Sequence, residues 1–225
     1  AIDELNASGT RHIHAQRWAL KANQQAQNWS EVLRLVKSLD SHKAIHPALS
    51  ARLRELAYDD LLLGHPHDAE SIRRVWKAIP SDDRKRPYVA ARAASAFNRI
   101  GLYDAARKVV ERALSDEWDE RLLRAYRDSA ADEGTPDLLA QIEQCETWLG
   151  QRPADPELAL TLGALCLKQK LWGKAQRHLE QALIGVPDAR IAQEAHFRLA
   201  QLHEALRQPE QAALHYRECA LASRP

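Results

Sequence analysis

The sequence predicts an all-α fold, a right-handed α-solenoid of about six helix hairpins that form a single array over residues 1–225. Ala and Leu dominate the composition while Gly and β-branched residues are sparse, which favours helices over strands. Apolar residues recur at three-to-four spacing along the chain, as they do on one face of a helix. Small residues expected at helix contacts recur at intervals of 37, 37, 34, 35 and 37 residues, at Val32, Ala69, Ala106, Ala140, Ala175 and Ala212.

The clearest repeat covers residues 156–188. It fits the tetratricopeptide (TPR) pattern, with Leu162-Gly163 at the Leu-Gly pair, Ala175 at the small-residue position and Pro187 at the closing Pro. Gly163 and Ala175 have almost no side chain, so two antiparallel helices are expected to approach closely there. Pro187 cannot continue a helix interior and is expected to end the unit. One hairpin cannot bury both of its faces, which predicts stacked neighbours.

The other hairpins are placed in order by their turns and caps. An Asn-Ala-Ser-Gly turn at 6–9 is expected to precede a first helix that begins near Ile13. Ser30 is the expected N-cap of the second helix, and Asp68 is that of the fourth. The resulting units are a clear repeat at 189–225 and four degenerate ones at about 13–46, 47–86, 87–118 and 119–155.

The net charge of the chain indicates which kinds of partner it can attract, and its cysteines indicate the redox compartment. The formal net charge is +1, so no overall field attracts the chain to nucleic acid or to a membrane surface. The three cysteines are far apart and form no CxxC motif, which argues against a disulfide framework or zinc module and favours a reducing compartment. No apolar run is long enough to span a bilayer. The chain begins at Ala1 and contains no Met, so we expect a processed or shortened piece.

The fifth and sixth hairpins match more than the general TPR pattern. The Leu-Trp-Gly-Lys-Ala run at 171–175 is the most specific part of this match. The other runs are Leu162 to Cys166, His178 to Glu180, Ala195 to Glu204, Trp29 to Leu35 and His46 to Leu49. Together they resemble the proteobacterial HemY family, over most of the chain.

The resemblance implies an inner-membrane protein in which a pair of N-terminal membrane helices, absent from this sequence, precedes a TPR region. It also implies an association with late haem (protohaem IX) synthesis without a defined catalytic activity. Haem-synthesis enzymes are the partners that this family would suggest. The unpaired cysteines favour the cytoplasmic side of the bacterial inner membrane for this region.

The first helices of the hairpins are expected to line a concave groove that grips a partner protein. The basic N-terminal part of this groove suits an acidic peptide or a terminal carboxylate, through charge-assisted hydrogen bonds. The alternative is a solvated helix face, because exposed Arg and Lys are common on any helix. The candidate groove residues are His14, Arg17, Lys21, Arg54, Tyr58, Asn98, Arg99, Leu167 and Phe197.

No catalytic, metal-binding or phosphate-binding motif is present, so the sequence predicts a non-enzyme with neither a catalytic residue nor a metal site. The main hypothesis is a non-catalytic TPR scaffold or regulator that resembles HemY, without a cofactor. A haem- or porphyrin-binding carrier or chaperone is the first alternative, since one exposed His in an apolar cleft can ligate haem. His196 and His203 lie seven residues apart and are expected to share a helix face. A general TPR assembly factor is the second alternative.

Overall fold

The computed structural model describes residues 2–185 and 188–222, and the predicted closing Pro187 lies outside them. These residues form thirteen α-helices and no β-strand. The helices are α1 (Ile2–Gln25), α2 (Trp29–Ser41), α3 (Pro47–Asp59), α4 (Ala69–Ala78), α5 (Ser81–Arg84), α6 (Pro87–Arg99), α7 (Tyr103–Asp116), α8 (Glu120–Asp128), α9 (Pro136–Gln151), α10 (Pro156–Lys168), α11 (Trp172–Ala182), α12 (Ala189–Ala205) and α13 (Pro209–Ala222).

The helices stack as six consecutive pairs, with the short helix α5 between the second and third. We call the first helix of each pair an A helix; these are α1, α3, α6, α8, α10 and α12. From α3 onward each A helix packs on the next A helix, and in the first five pairs the second helix packs on the A helix that follows it. Packing therefore joins near neighbours in the chain, as in an α-solenoid, and the predicted fold class is confirmed.

Four of the six pairs share one turn geometry. After the A helix, one residue adopts the left-handed conformation, and the N–H of the following residue donates to a carbonyl in the last turn of the helix. This is the Schellman arrangement, which satisfies carbonyls that the helix end leaves unpaired. It reverses the chain tightly in the first, third, fifth and sixth pairs, where the left-handed residues are Gln27 (φ 55°), Gly101 (φ 76°), Lys170 (φ 60°) and Arg207 (φ 57°).

The second and fourth pairs are open. In the second pair α3 continues into one turn of π-helix, Asp60–Gly64, before an irregular connection to α4. In the fourth pair α8 packs on α6, α7 and α10, and α9 packs mainly on α10. The prediction of a small contact residue at Ala140 is wrong, because Ala140 is exposed and α9 contacts Tyr126 of α8 through Gln141 and Trp148 instead. Ala69, its counterpart in the second pair, is half-buried.

Two predictions about helix starts are also wrong. The helix α1 begins at Ile2 and runs through the expected turn at 6–9, since a weak local turn preference does not stop a helix. The helix α2 begins at Trp29, one residue before the expected cap Ser30, because the left-handed turn at Gln27 fixes where it starts. Asp68 is confirmed as an N-cap: its carboxylate accepts from the N–H groups of Glu70 and Ser71.

The apolar core is divided. The largest cluster of buried side chains extends from Tyr58 in α3 to Leu202 in α12. A separate cluster inside the N-terminal part contains Leu20, Val32, Leu35, Val36, Leu39, Ala44 and Leu53. Among the described residues, no helix is both long enough and apolar enough to cross a membrane.

The close approach predicted in the fifth pair is confirmed at Gly163. A Cβ atom added to Gly163 would lie 2.8 Å from Cγ and Cδ2 of Leu179 and 3.0 Å from its backbone nitrogen. Real Cβ atoms do not approach other atoms so closely, and the nearby Ala175 is fully buried. The pair α10–α11 therefore depends on the absence of a side chain at this position.

Replacing Gly163 by Ala should lower the free energy of unfolding by about 1–3 kcal/mol, because α11 must move away from α10. The matched control is Gly150→Ala in α9, where an added Cβ meets nothing within 4 Å. That variant should be unchanged or stabilised by up to about 1 kcal/mol. Urea unfolding followed by circular dichroism measures both, and equal stabilities would contradict the close contact.

Candidate functional site

An open cleft lies where the second pair fails to close. It has a volume of about 560 Å³ and is bounded by α2, the end of α3 with its π-helical turn, α4 and α5. This volume is in the range of pockets that bind ligands or side chains. Its walls are mostly apolar, from Leu33, Leu61, Val75, Ala78, Ile79 and Pro80.

The α2–α5 cleft has a rigid polar floor. The carboxylate of Asp83, which is 1% exposed, accepts hydrogen bonds from Nη1 of Arg54 at 3.0 Å and from the hydroxyl of Tyr58 at 2.7 Å. Nη2 of Arg54 donates to Asp40 on α2 at 2.5 Å. Burial, and then the hydrogen bond to Asp83, raise the pKa of the Tyr58 hydroxyl. The network ties α2, α3 and α5 together. Because these three helices bound the cleft, we infer that the network keeps the cleft from closing.

Arg54 and Tyr58, two of the predicted groove residues, are thus brought together in one site. Their donors point at Asp83, so the guanidinium charge of Arg54 is already neutralised by two carboxylates. The exposed side chain of Lys37 lies on the cleft wall and has no ion partner among the described residues. Among the described residues of the cleft wall, free positive charge is therefore found at Lys37 and not at Arg54. The spacing of residues in the sequence did not predict that Arg54 is neutralised, because its partners Asp40 and Asp83 lie on other helices.

The other predicted groove residues do not gather in one place. His14 and Lys21 are exposed on α1. The remaining basic and amide side chains hold connections between pairs: Arg17 donates to the carbonyl of Ala44, Arg99 donates to the carbonyl of Leu63, and Asn98 donates to the hydroxyl of Ser129. Leu167 is half-buried against the main core, and Phe197 is 43% exposed near the C-terminal end. Their role in binding stays a prediction.

A buried ion network that joins three of the A helices was missed by the sequence analysis. The guanidinium of Arg127, whose side chain is 4% exposed, donates to Glu157 at 2.8 Å, to Thr161 at 2.9 Å and to Glu194 at 2.9 Å. Glu157 also accepts from Arg190. One arginine on α8 thereby joins α10 and α12. The charges neutralise one another, so this stretch offers a partner little free charge.

Three histidines cluster between α12 and α13. Nδ1 of His196 lies 3.0 Å from Nδ1 of His215, and the ring of His203 stacks on that of His215 with centroids 5.3 Å apart. His196 and His203 share a helix face, as predicted, and that face is turned toward α13. Burial lowers the pKa of both His196 and His215. Among the described residues no group of three or more ligating side chains is arranged to hold a metal ion.

Two of the cysteines are packing residues. Cys145 and Cys166 are fully buried in the main core, and burial raises the pKa of the Cys166 thiol to about 11. A thiol of this kind carries almost no nucleophilic thiolate near neutral pH. Cys166 is thus a small residue of the core.

Comparison with known proteins assigns no family. No family model matches the chain, and no curated protein matches it. Among solved structures the chain is similar to MamA MSR-1 C2, with 13% sequence identity and a TM-score of 0.41 over 94% of this chain and 96% of that chain. At this level the likeness carries no information about partners or activity.

Replacing Asp83 by Ala should destabilise the fold by about 3 kcal/mol, because it leaves the buried hydroxyl of Tyr58 without an acceptor and removes one carboxylate from Arg54. Asp82→Ala is the matched control, since Asp82 is the exposed neighbour of Asp83 on the same short helix. Urea unfolding compares the two variants. Equal losses would show that the network does not support the cleft.

Acidification should weaken the α12–α13 pair. The folded-state pKa values of His196 and His215 lie below that of an unfolded histidine, about 6.5, so the unfolded chain binds more protons as the pH falls. Their contribution is present above about pH 6.5 and is lost as the pH falls through the folded values. Glu180 and Glu218 lie close enough to moderate the effect. His215→Gln should therefore lose less stability than the wild type between about pH 7.5 and about pH 5, measured by urea unfolding. If the variant and the wild type lost the same stability over this pH range, the histidine cluster would not be the cause of the loss.

Proposed function

We propose that this chain is a non-catalytic protein-interaction scaffold of the TPR type that holds a segment of a partner protein in the α2–α5 cleft. The observation that carries the proposal is the cleft itself: an apolar space of about 560 Å³ beside the buried carboxylate of Asp83 and its partner Arg54, between two helices of one pair that make few direct contacts. Natural interiors are otherwise close-packed, so such a space is a site for an incoming group.

The shape of the cleft favours a peptide segment over a compact molecule. The α2 wall is a stripe along one helix face, formed by Ser30, Leu33, Arg34 and Lys37. Facing stripes on separate helices create an elongated groove of the kind that receives an extended or helical segment. Apolar walls require an apolar anchor, and Lys37 on the wall favours a nearby carboxylate. The proposed ligand is a partner segment with an apolar anchor next to an acidic residue.

The finer assignment follows the sequence resemblance. We propose that the chain is the part outside the membrane of a HemY-like protein anchored in the bacterial inner membrane, on the cytoplasmic side, with late haem-synthesis enzymes as partners. Support comes from the residue runs in α10, α11 and α12 and from the cysteines, which remain free thiols. Most of those runs pack the helices together, so the haem connection depends on the resemblance alone.

A photo-crosslinking amino acid at Lys37 should trap a partner protein from a proteobacterial membrane extract. The same amino acid at Leu139, an exposed apolar position on α9, is the control and should not trap it. Mass spectrometry of the trapped protein distinguishes a haem-synthesis enzyme from the partners of a general assembly factor.

Ala78→Arg should abolish the Lys37 crosslink, because it places a long charged side chain on an exposed position of the cleft wall. Ala22→Arg, the same change on an exposed alanine of α1, should leave it intact. Equal yields at Lys37 and Leu139 would contradict the proposal. A Soret shift on titration with haemin, together with no crosslink, would favour the haem-carrier alternative.

A further inference from the structure

The last two helix pairs are the same structural unit, displaced by 37 residues. The left-handed turn residue Lys170 in the fifth pair corresponds to Arg207 in the sixth. The buried Ala175 corresponds in the same way to Ala212. The two pairs can therefore be compared residue by residue, without any outside structure.

In the fifth pair one face is fully covered. Leu160 on α10, together with Leu179 and Ala182 on α11, is 0% exposed. The cover is α12, which places Ile191, Ala195 and Leu199 against them in one apolar cluster. These three residues recur every fourth position and form one stripe of an amphipathic helix.

In the sixth pair none of the described residues covers the same face. Phe197 stands in the place of Leu160 and is 43% exposed. Tyr216 and Cys219 stand in the places of Leu179 and Ala182, and both are partly exposed. The rings of Phe197 and Tyr216 meet edge to face with centroids 6.2 Å apart, so they present one continuous aromatic surface.

A surface depression adjoins the ring of Tyr216. It has a volume of about 380 Å³ and is lined in part by Glu204, Pro209, Ala213 and Tyr216. The hydroxyl of Tyr216 donates to Glu204 at 2.8 Å, which fixes the ring at the edge of the depression. The aromatic pair and the depression make up the terminal face.

We propose that the terminal face binds an amphipathic α-helix of a partner protein, which carries aliphatic or small residues at every fourth position. The occupant is inferred from the fold itself, because α12 is a helix of this kind and covers the equivalent face of the preceding pair. Aromatic side chains are favoured at binding surfaces, where they bury a large area at low entropic cost. This site is separate from the α2–α5 cleft, so the two can succeed or fail independently.

The direct test uses the natural occupant of the equivalent face as the probe. A fluorescent peptide of residues 188–205, with blocked termini, should bind the 225-residue chain saturably in an anisotropy titration. Phe197→Glu in the protein should weaken this binding about tenfold or more, because it places a charge in the centre of the apolar contact. A peptide with Ile191→Glu and Leu199→Glu should not bind.

The control protein is Leu139→Glu, in which a similarly exposed leucine on another helix is changed. It should bind the peptide like the wild type. If Phe197→Glu bound the peptide with the same affinity as the wild type, the proposal would be overturned, since the peptide would then occupy another surface. A mass that rises with concentration in sedimentation velocity, and falls back to that of a monomer in Phe197→Glu, would also overturn it by identifying a second copy as the occupant.

Discussion

The structure depends on how closely the two helices of each pair can approach. At Gly163 there is no room for a single additional carbon atom between α10 and α11. Where the contact residue is this small and a left-handed residue closes the turn, the pair is tight and its apolar residues merge with those of its neighbours. Where the turn is replaced by a longer connection, as between α3 and α4, the helices separate and a cleft results.

This alternation of tight and open pairs links the fold to its proposed role. The tight pairs supply a rigid frame, strengthened by Arg127, which joins the three A helices α8, α10 and α12. The open second pair supplies the apolar space, and Asp83 on α5 prevents it from closing by holding Arg54 and Tyr58 in place. A scaffold built in this way offers binding surfaces where packing is incomplete and resists deformation elsewhere.

Much of the fold was predictable because local rules determine it. Helical spacing placed most helices, and the smallest residues marked the contact at Gly163. The exposed Ala140 escaped prediction because a regular period says nothing about a pair that opens. The site was predicted less well, since its polar contacts join residues that lie about one or two repeats apart. The partner of Arg127 at Glu194 and the partner of Arg54 at Asp83 carry no signal in the spacing of apolar residues.

The apolar core divides within α3, where Leu53 belongs to the N-terminal cluster and Tyr58 to the main one, so the molecule should unfold in two cooperative parts. Native-state hydrogen exchange across a urea series tests this most directly. We expect the amides of α2 to exchange through an opening of lower free energy than those of α7 and α10. A single opening of the same free energy in all three helices would contradict it.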